Sequence, residues 1–191
     1  MSGYTNFAIV GAGDIGRFIV EQLLKDKAAG IVNEVVVLTR QVTYLLLGLH
    51  MMLSTPLGVD LKGSKTTRAI QGDAKIIQVD YSNDESIKHA LAGVDVVIST
   101  ISGTVLDVQA KIAAAAKEVD VKLFVPSEFG GVSEEESKGI RRAKLNVQNQ
   151  LKALDMPYAA FYTGLFPDYI WVSSVSRYSL TFGYSVQLTK E

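Results

Sequence analysis

Cysteine is absent from this 191-residue chain, and histidine occurs only as His50 and His89. The first absence excludes disulfides, thiolate zinc sites and a cysteine nucleophile, and two scattered imidazoles make no metal-ligand cluster. Neither charge sign dominates: 19 lysines and arginines face 20 aspartates and glutamates, for a net charge of −1. That balance leaves no basic footprint for nucleic acid. A long apolar run is also missing. The longest, "VTYLLLGLHMML" at 42–53, falls short of the about 20 residues that a membrane-spanning helix takes. The N-terminus, "MSGYTNFAIVGAG", has no basic region followed by an apolar core, so no signal peptide is read there. The expectation is a protein of a reducing, cytoplasmic compartment with neither a membrane nor a nucleic acid as partner.

What is present is ordinary globular material, 48% hydrophobic and 20% charged, enough for one domain with a real core. Short apolar segments recur along it: "FAIV" (7–10), "VVVL" (35–38), "KIIQV" (75–79), "DVVIS" (95–99), "KLFV" (122–125) and "YAAFY" (158–162). Most are continuously apolar rather than alternating, as parallel strands covered on both faces should be. Helical spacing falls between them. Ile15, Phe18, Ile19 and Leu23 form one such pattern, with Gly30 as its stop. "SNDE" at 82–85 reads as a capping box for a helix reaching about Leu91. Val105, Val108, Ile112, Ala115 and Val119 make a third stripe, and "SEEE" at 133–136 reads as a second capping box for a helix ending near Leu154. The alternation predicts an α/β fold with a doubly wound parallel sheet. Ligands of such sheets lie outside the carboxyl ends of the strands.

At that rim the first strand runs into "GAGDIG", a G-x-G-x-x-G loop that opens the first helix, the context of a Rossmann-type dinucleotide site. Gly11 permits the tight turn, Gly13 a close approach of pyrophosphate, and Gly16 close helix–strand packing, while the amides from Asp14 and Ile15 onward face the phosphates. A carboxylate at Asp14 repels phosphate, unless it serves as the helix cap. The second strand ends "VVVLTR": Arg40, where an NAD site usually carries an acid, favours the 2′-phosphate of NADP(H). Lys62, Lys65 and Arg68 could add charge nearby. Asp80, after the third strand, fits either an adenine contact or a strand-end turn. "STISG", led by Ser99, Thr100 and Ile101, reads either as small residues and amides passing beneath the ribose and nicotinamide or as a simple strand-to-helix loop.

The last rim segment is "PSEFGG", and the helix expected after it carries the sharpest candidate for chemistry. Ile140, Lys144, Val147, Leu151 and Leu154 share a helical face, with Arg141, Arg142, Gln148 and Lys152 largely elsewhere. A lysine on an inner face either snorkels to water or sits in a partly dry pocket that lowers its pKa for proton transfer. Neither Tyr158 nor Tyr162 has a lysine four residues on, and neither histidine lies near a nucleophile elbow.

Together, "GAGDIG", "LTR", "DVVISTISG", "KLFVPSEFGG" and "IRRAKLNVQNQLKALDMPYAAFYTGLFPDYI" resemble the NmrA-like, isoflavone-reductase-like proteins, an atypical branch of the short-chain dehydrogenases. The resemblance covers most of residues 6–170. It implies NADPH-dependent reduction of a small phenolic or conjugated substrate, with Lys144 in the position of the family's catalytic lysine. It also implies that Phe129 packs on the nicotinamide and that Ser127 and Glu128 shape the pocket. The expected organisation is an NAD(P)-binding domain over 1–170, interrupted by an atypical insertion at 41–60, and an unassigned segment at 171–191. The insertion reads either as an extra helix on Val42, Leu45, Leu46 and Leu49, which could displace Arg40, or as translated intron. The family continues through a smaller substrate-closing region that the last residues do not match, so a truncated form is expected, with its end either a hairpin or disordered. Three readings follow: a reductase, a non-catalytic dinucleotide sensor acting on a protein partner, or an inactive folded product. The apolar insertion or an edge strand could support a homodimer.

Overall fold

A computed structural model describes residues 3–40, 72–101, 106 and 108–164, together with the backbone of Ser185–Leu188. Five strands form one parallel sheet: β1 (Asn6–Val10), β2 (Glu34–Thr39), β3 (Lys75–Gln78), β4 (Val96–Ser99) and β5 (Leu123–Val125), in the order β3-β2-β1-β4-β5. Ala8 at the centre of β1 is in register with Val36 on one side and Val97 on the other. The strand order reverses between β1 and β4, which opens the crevice of a doubly wound sheet at their carboxyl ends.

Helices cover both faces. On one, α1 (Gly16–Ala28) sets Val20 against Ile9, Val35 and Val37. On the other, α2 (Asp84–Leu91), α3 (Val108–Glu118) and α4 (Ile140–Ala153) bury Ile87, Leu91, Ile112, Val147 and Leu151 against Ala8, Val10, Leu38, Val97 and Phe124. Side chains alternate across each strand, so consecutive apolar residues feed opposite layers, and this is why the strands read as unbroken apolar runs. At the amino rim, Asp95 accepts the amides of Thr5 and Asn6 at 2.9 Å each and the Lys122 ammonium at 2.6 Å. Burial alone would raise this carboxyl, but the bonds from Lys122, Thr5 and Asn6 outweigh it and hold the pKa at about 2.

Several expectations change in detail. α1 does stop at Gly30, whose φ of +73° suits the residue after a helix end. Phe18, however, faces outward beneath the Arg17 guanidinium, and Val20 takes the inner position. The cap of α2 is Asn83 rather than Ser82: the Asn83 side-chain oxygen Oδ1 accepts the Glu85 and Ser86 amides, while the Ser82 hydroxyl donates to Asp80. "SEEE" opens no helix. The Ser137 hydroxyl accepts the Glu134 amide to close a separate turn, and α4 starts only after Gly139, whose φ of +60° resets the chain direction. Ile140, at the first position of α4, is consequently exposed.

The sixth strand also differs. Tyr158 makes one parallel bridge to Phe124, and then β6 (Ala159–Tyr162) leaves the sheet to pair antiparallel with β7 (Ser185–Leu188). β7 gives the unassigned end a strand. Residues 41–60, Lys62, Lys65, Arg68 and Val105 lie outside the described residues.

Candidate functional site

The first glycine turn is closed by contacts among β1, β2, β4 and α1. Gly11 has φ +90°, its amide donates to the Leu38 carbonyl at 3.2 Å, and its carbonyl accepts the Thr100 hydroxyl at 2.6 Å. Gly16 fits beneath that carbonyl, since a Cβ there would lie 2.1 Å from the Gly11 oxygen and 2.6 Å from Thr100 Oγ1. Around Gly13 the space is open: a Cβ added there would meet no heavy atom within 4 Å. Ile15 is the N-cap of α1, no side chain caps the helix, and no acid occupies its first turn. Asp14 is exposed and does not serve as that cap. An open glycine surface at a helix start without a side-chain cap is the geometry that accepts a pyrophosphate, although the Arg17 and Phe18 amides already bond the Gly13 and Ile15 carbonyls. Arg17, which sequence spacing did not single out, adds a guanidinium one residue beyond the turn, with its Nε buried and unpartnered among the described residues.

Arg40 is exposed at the carboxyl end of β2, where its carbonyl accepts the Gln78 side-chain amide at 3.2 Å. Burial pushes the Tyr81 hydroxyl up to about 12, with the positive charge of Arg40 opposing the shift. Asp80 is committed to the turn that starts α2: its Oδ1 accepts the Ser82 hydroxyl at 2.6 Å and the Ser82 amide at 2.9 Å. These bonds lower its pKa and favour the turn role over an adenine contact.

Below the crevice, Ser99 is fully buried with its hydroxyl unpartnered among the described residues. Thr100 latches the glycine turn, and the Ile101 carbonyl accepts the Ser127 hydroxyl at 2.9 Å. This last bond ties the loop after β4 to "PSEFGG" after β5. Gln109 of α3, buried and not anticipated from spacing, accepts the Ser127 amide at 2.9 Å. Phe129 is half-buried against Val96, Val125 and Ala159.

Lys144 on α4 reaches this loop and donates to the Glu128 main-chain carbonyl. Burial pushes its pKa down, the Glu128 carboxyl opposes that, and the Arg141 guanidinium adds to it. A lysine so placed gives up its proton more readily than one in water. Glu128, expected to help shape the pocket, turns its carboxyl inward. It is buried, its Oε1 accepts the Gln148 amide at 2.9 Å, and burial raises its pKa against the effects of Gln148 and Lys144. Gln148, expected to lie off the apolar face, is therefore inside. Three hydrogen bonds, Thr100 to the Gly11 carbonyl, Ser127 to the Ile101 carbonyl and Lys144 to the Glu128 carbonyl, are joined through chain neighbours, Thr100 to Ile101 and Ser127 to Glu128, so the glycine turn and the inner lysine share one rim.

Among the described residues no three acidic, histidine or cysteine side chains group as metal ligands, and no helix is long and apolar enough to cross a membrane.

Comparison with known proteins places this architecture. An isoflavone reductase homolog, P3, from Arabidopsis thaliana is 34% identical over 168 residues, covering 84% of this chain and 48% of that protein. The phenylcoumaran benzylic ether reductase POP1 of Populus trichocarpa is 34% identical over 172 residues, covering 86% of this chain and 50% of its own length. The solved structure of AtPrR2 with NADP+ and (+)-pinoresinol superposes with a TM-score of 0.64 at 27% identity, over 88% of this chain and 53% of that one. The chain thus spans about half the length of the curated relatives it matches. The model of the NmrA-like family matches residues 5–182, and with the glycine turn, the parallel sheet and the "PSEFGG" loop in place, the chain belongs to the NmrA-like family.

Proposed function

We propose that the chain binds NADP(H) across the carboxyl ends of β1, β2 and β4 and uses it to reduce a small phenolic or conjugated aromatic substrate. The observation that carries this reading is the set of three hydrogen bonds, Thr100 to Gly11, Ser127 to Ile101 and Lys144 to Glu128, that ties adjacent rim loops together and puts a half-dry amine and an open phosphate cradle along one edge. Relatives named as isoflavone reductase homolog, eugenol synthase and phenylcoumaran benzylic ether reductase support the substrate class.

In this reading the open surface at Gly13 and the amides at the start of α1 hold the pyrophosphate, with Asp14 and Ile15 supplying backbone rather than side chains. Arg40 holds the 2′-phosphate. Ser99, Thr100 and Ile101 form the floor under the ribose, and Phe129 borders the nicotinamide. Bound NADPH supplies the hydride. Lys144 supplies or relays the proton, or binds the substrate oxygen where negative charge develops.

A second reading, a dinucleotide-responsive regulator of a protein partner, draws on one observation: the Lys144 amine is already engaged by a backbone carbonyl. Such a regulator needs the cradle and not the lysine's chemistry.

Calorimetric titration of the chain and of Arg40→Ala with NADPH and NADH tests the shared part. Hydrogen bonds to charged groups are worth about 1.5–3 kcal/mol, so Arg40→Ala should weaken NADPH roughly 10- to 150-fold and leave NADH unchanged. Equal weakening of both dinucleotides would remove Arg40 from the 2′-phosphate site, and no binding of either to the parent chain would end both readings.

A further inference from the structure

The Glu128 side chain turns away from the rim into the protein. It is 1% exposed, its Oε1 accepts Gln148 Nε2 at 2.9 Å, and the same nitrogen donates to Tyr162 Oη at 3.0 Å. Three parts of the fold meet there: the loop after β5, the middle of α4 and the end of β6. Gln148 lies four residues after Lys144, one turn along the same helix face. The two ends of Glu128 are therefore gripped from one face of α4, its carbonyl by Lys144 and its carboxyl by Gln148.

A buried carboxyl is costly to keep, and an apolar side chain of similar size would pack the same space without that cost. Its other oxygen, Oε2, finds no partner among the described residues. What the carboxyl adds is direction. The segment between β5 and α4 contains no regular element, so a hydrogen bond to the Glu128 carbonyl locates the long, flexible lysine only if that carbonyl is itself fixed. Gly130 leaves room for the arrangement: a Cβ there would lie 3.3 Å from the Glu128 oxygen and 3.7 Å from Lys144 Nζ. The Gly130 carbonyl in turn accepts the Gly164 amide at 3.1 Å, strapping the loop to the chain just beyond β6.

We propose that Glu128, Gln148 and Tyr162 are positioning residues for Lys144, a buried polar strut that fixes the depth of its amine below the rim. The inference rests on Lys144 as the functional amine but not on turnover. The charged groups acting on that amine are Glu128 on the loop and Arg141 on α4, while Tyr158, just before β6, and Tyr162, at its end, feel the same Glu128 carboxyl.

Competitive labelling with acetic anhydride across a pH series reads the Lys144 midpoint by peptide mass spectrometry, normalised to exposed Lys152 on the same helix. The informative variant is Glu128→Leu/Gln148→Leu, which replaces the strut by apolar packing and strands no charge. If the strut sets the depth, the released amine reaches water and its midpoint rises toward the ordinary lysine value. If packing alone sets it, the midpoint falls or stays, because the site becomes drier and loses the neighbouring carboxylate. A fall or no change overturns the proposal. Glu128→Gln is the conservative partner: its amide oxygen can still accept from Gln148, so the midpoint should stay or drop. A rise in Glu128→Gln overturns the proposal independently, even should the double variant not fold. Failure of the reductase reading looks different, as unchanged NADPH oxidation in Lys144→Ala.

Discussion

Gly16→Val should lose NADPH binding and melt roughly 6–12 °C below the parent chain. The Cβ would lie 2.1 Å from the Gly11 carbonyl oxygen, a backbone atom held in turn by Thr100, so no rotamer change relieves the clash. The turn between β1 and α1 has to open. Overpacking costs about 1–3 kcal/mol, and an obstacle made of backbone belongs at the upper end. At about 2–4 °C per kcal/mol for a domain of this size, that gives the stated fall. Gly13→Ala is the matched control, because a Cβ there meets nothing within 4 Å. Its melting temperature should match the parent's, with weakening confined to the dinucleotide. A Gly16→Val chain that melts with the parent would show that the turn is not closed as described.

Lys144→Ala should cut kcat/KM for NADPH oxidation about 10²- to 10⁴-fold, the usual contribution of a positioned acid or base. The dinucleotide should still bind, because the cradle and the amine are separate parts of the rim. The pH profile carries a sign. An acid works while protonated, and burial sets the Lys144 pKa below its ordinary value of 10.5. The rate should therefore decline as pH rises through that lowered value, and the limb should disappear in Lys144→Ala. An unchanged rate with phenolic acceptors, alongside unchanged NADPH binding, would leave the regulator as the better account.

The sheet is legible in the sequence because parallel strands covered on both faces keep an unbroken apolar run, and the glycine loop is legible because its context, strand before and helix after, is local. What escapes depends on distant partners. β6 reads as a continuation of the parallel sheet from Tyr158 to Tyr162, yet only Tyr158 bridges Phe124, and the rest pairs with Ser185–Leu188 near the far end of the chain. Gln148 reads as lying off the apolar face because the stripe of Ile140, Lys144, Val147, Leu151 and Leu154 leaves it out; its burial follows from a carboxyl 20 residues away that needs a donor. Ser133–Glu136 carries the letters of a capping box, and the positive φ of Gly139 overrides them. At Ser82 the same pattern is one residue out of phase, because Asp80 claims the serine hydroxyl and leaves Asn83 to cap. Helical spacing locates Lys144 itself, but not the groups that fix it.

The central claim is that a phosphorylated nicotinamide dinucleotide lies on the glycine rim. Amide hydrogen exchange of the chain with and without saturating NADPH tests it directly. Protection should appear at residues 13–18 and at Thr100 and Ile101, with NADH giving less at Arg40. Exchange that is unchanged there, or protection confined to segments away from the rim, would contradict the account.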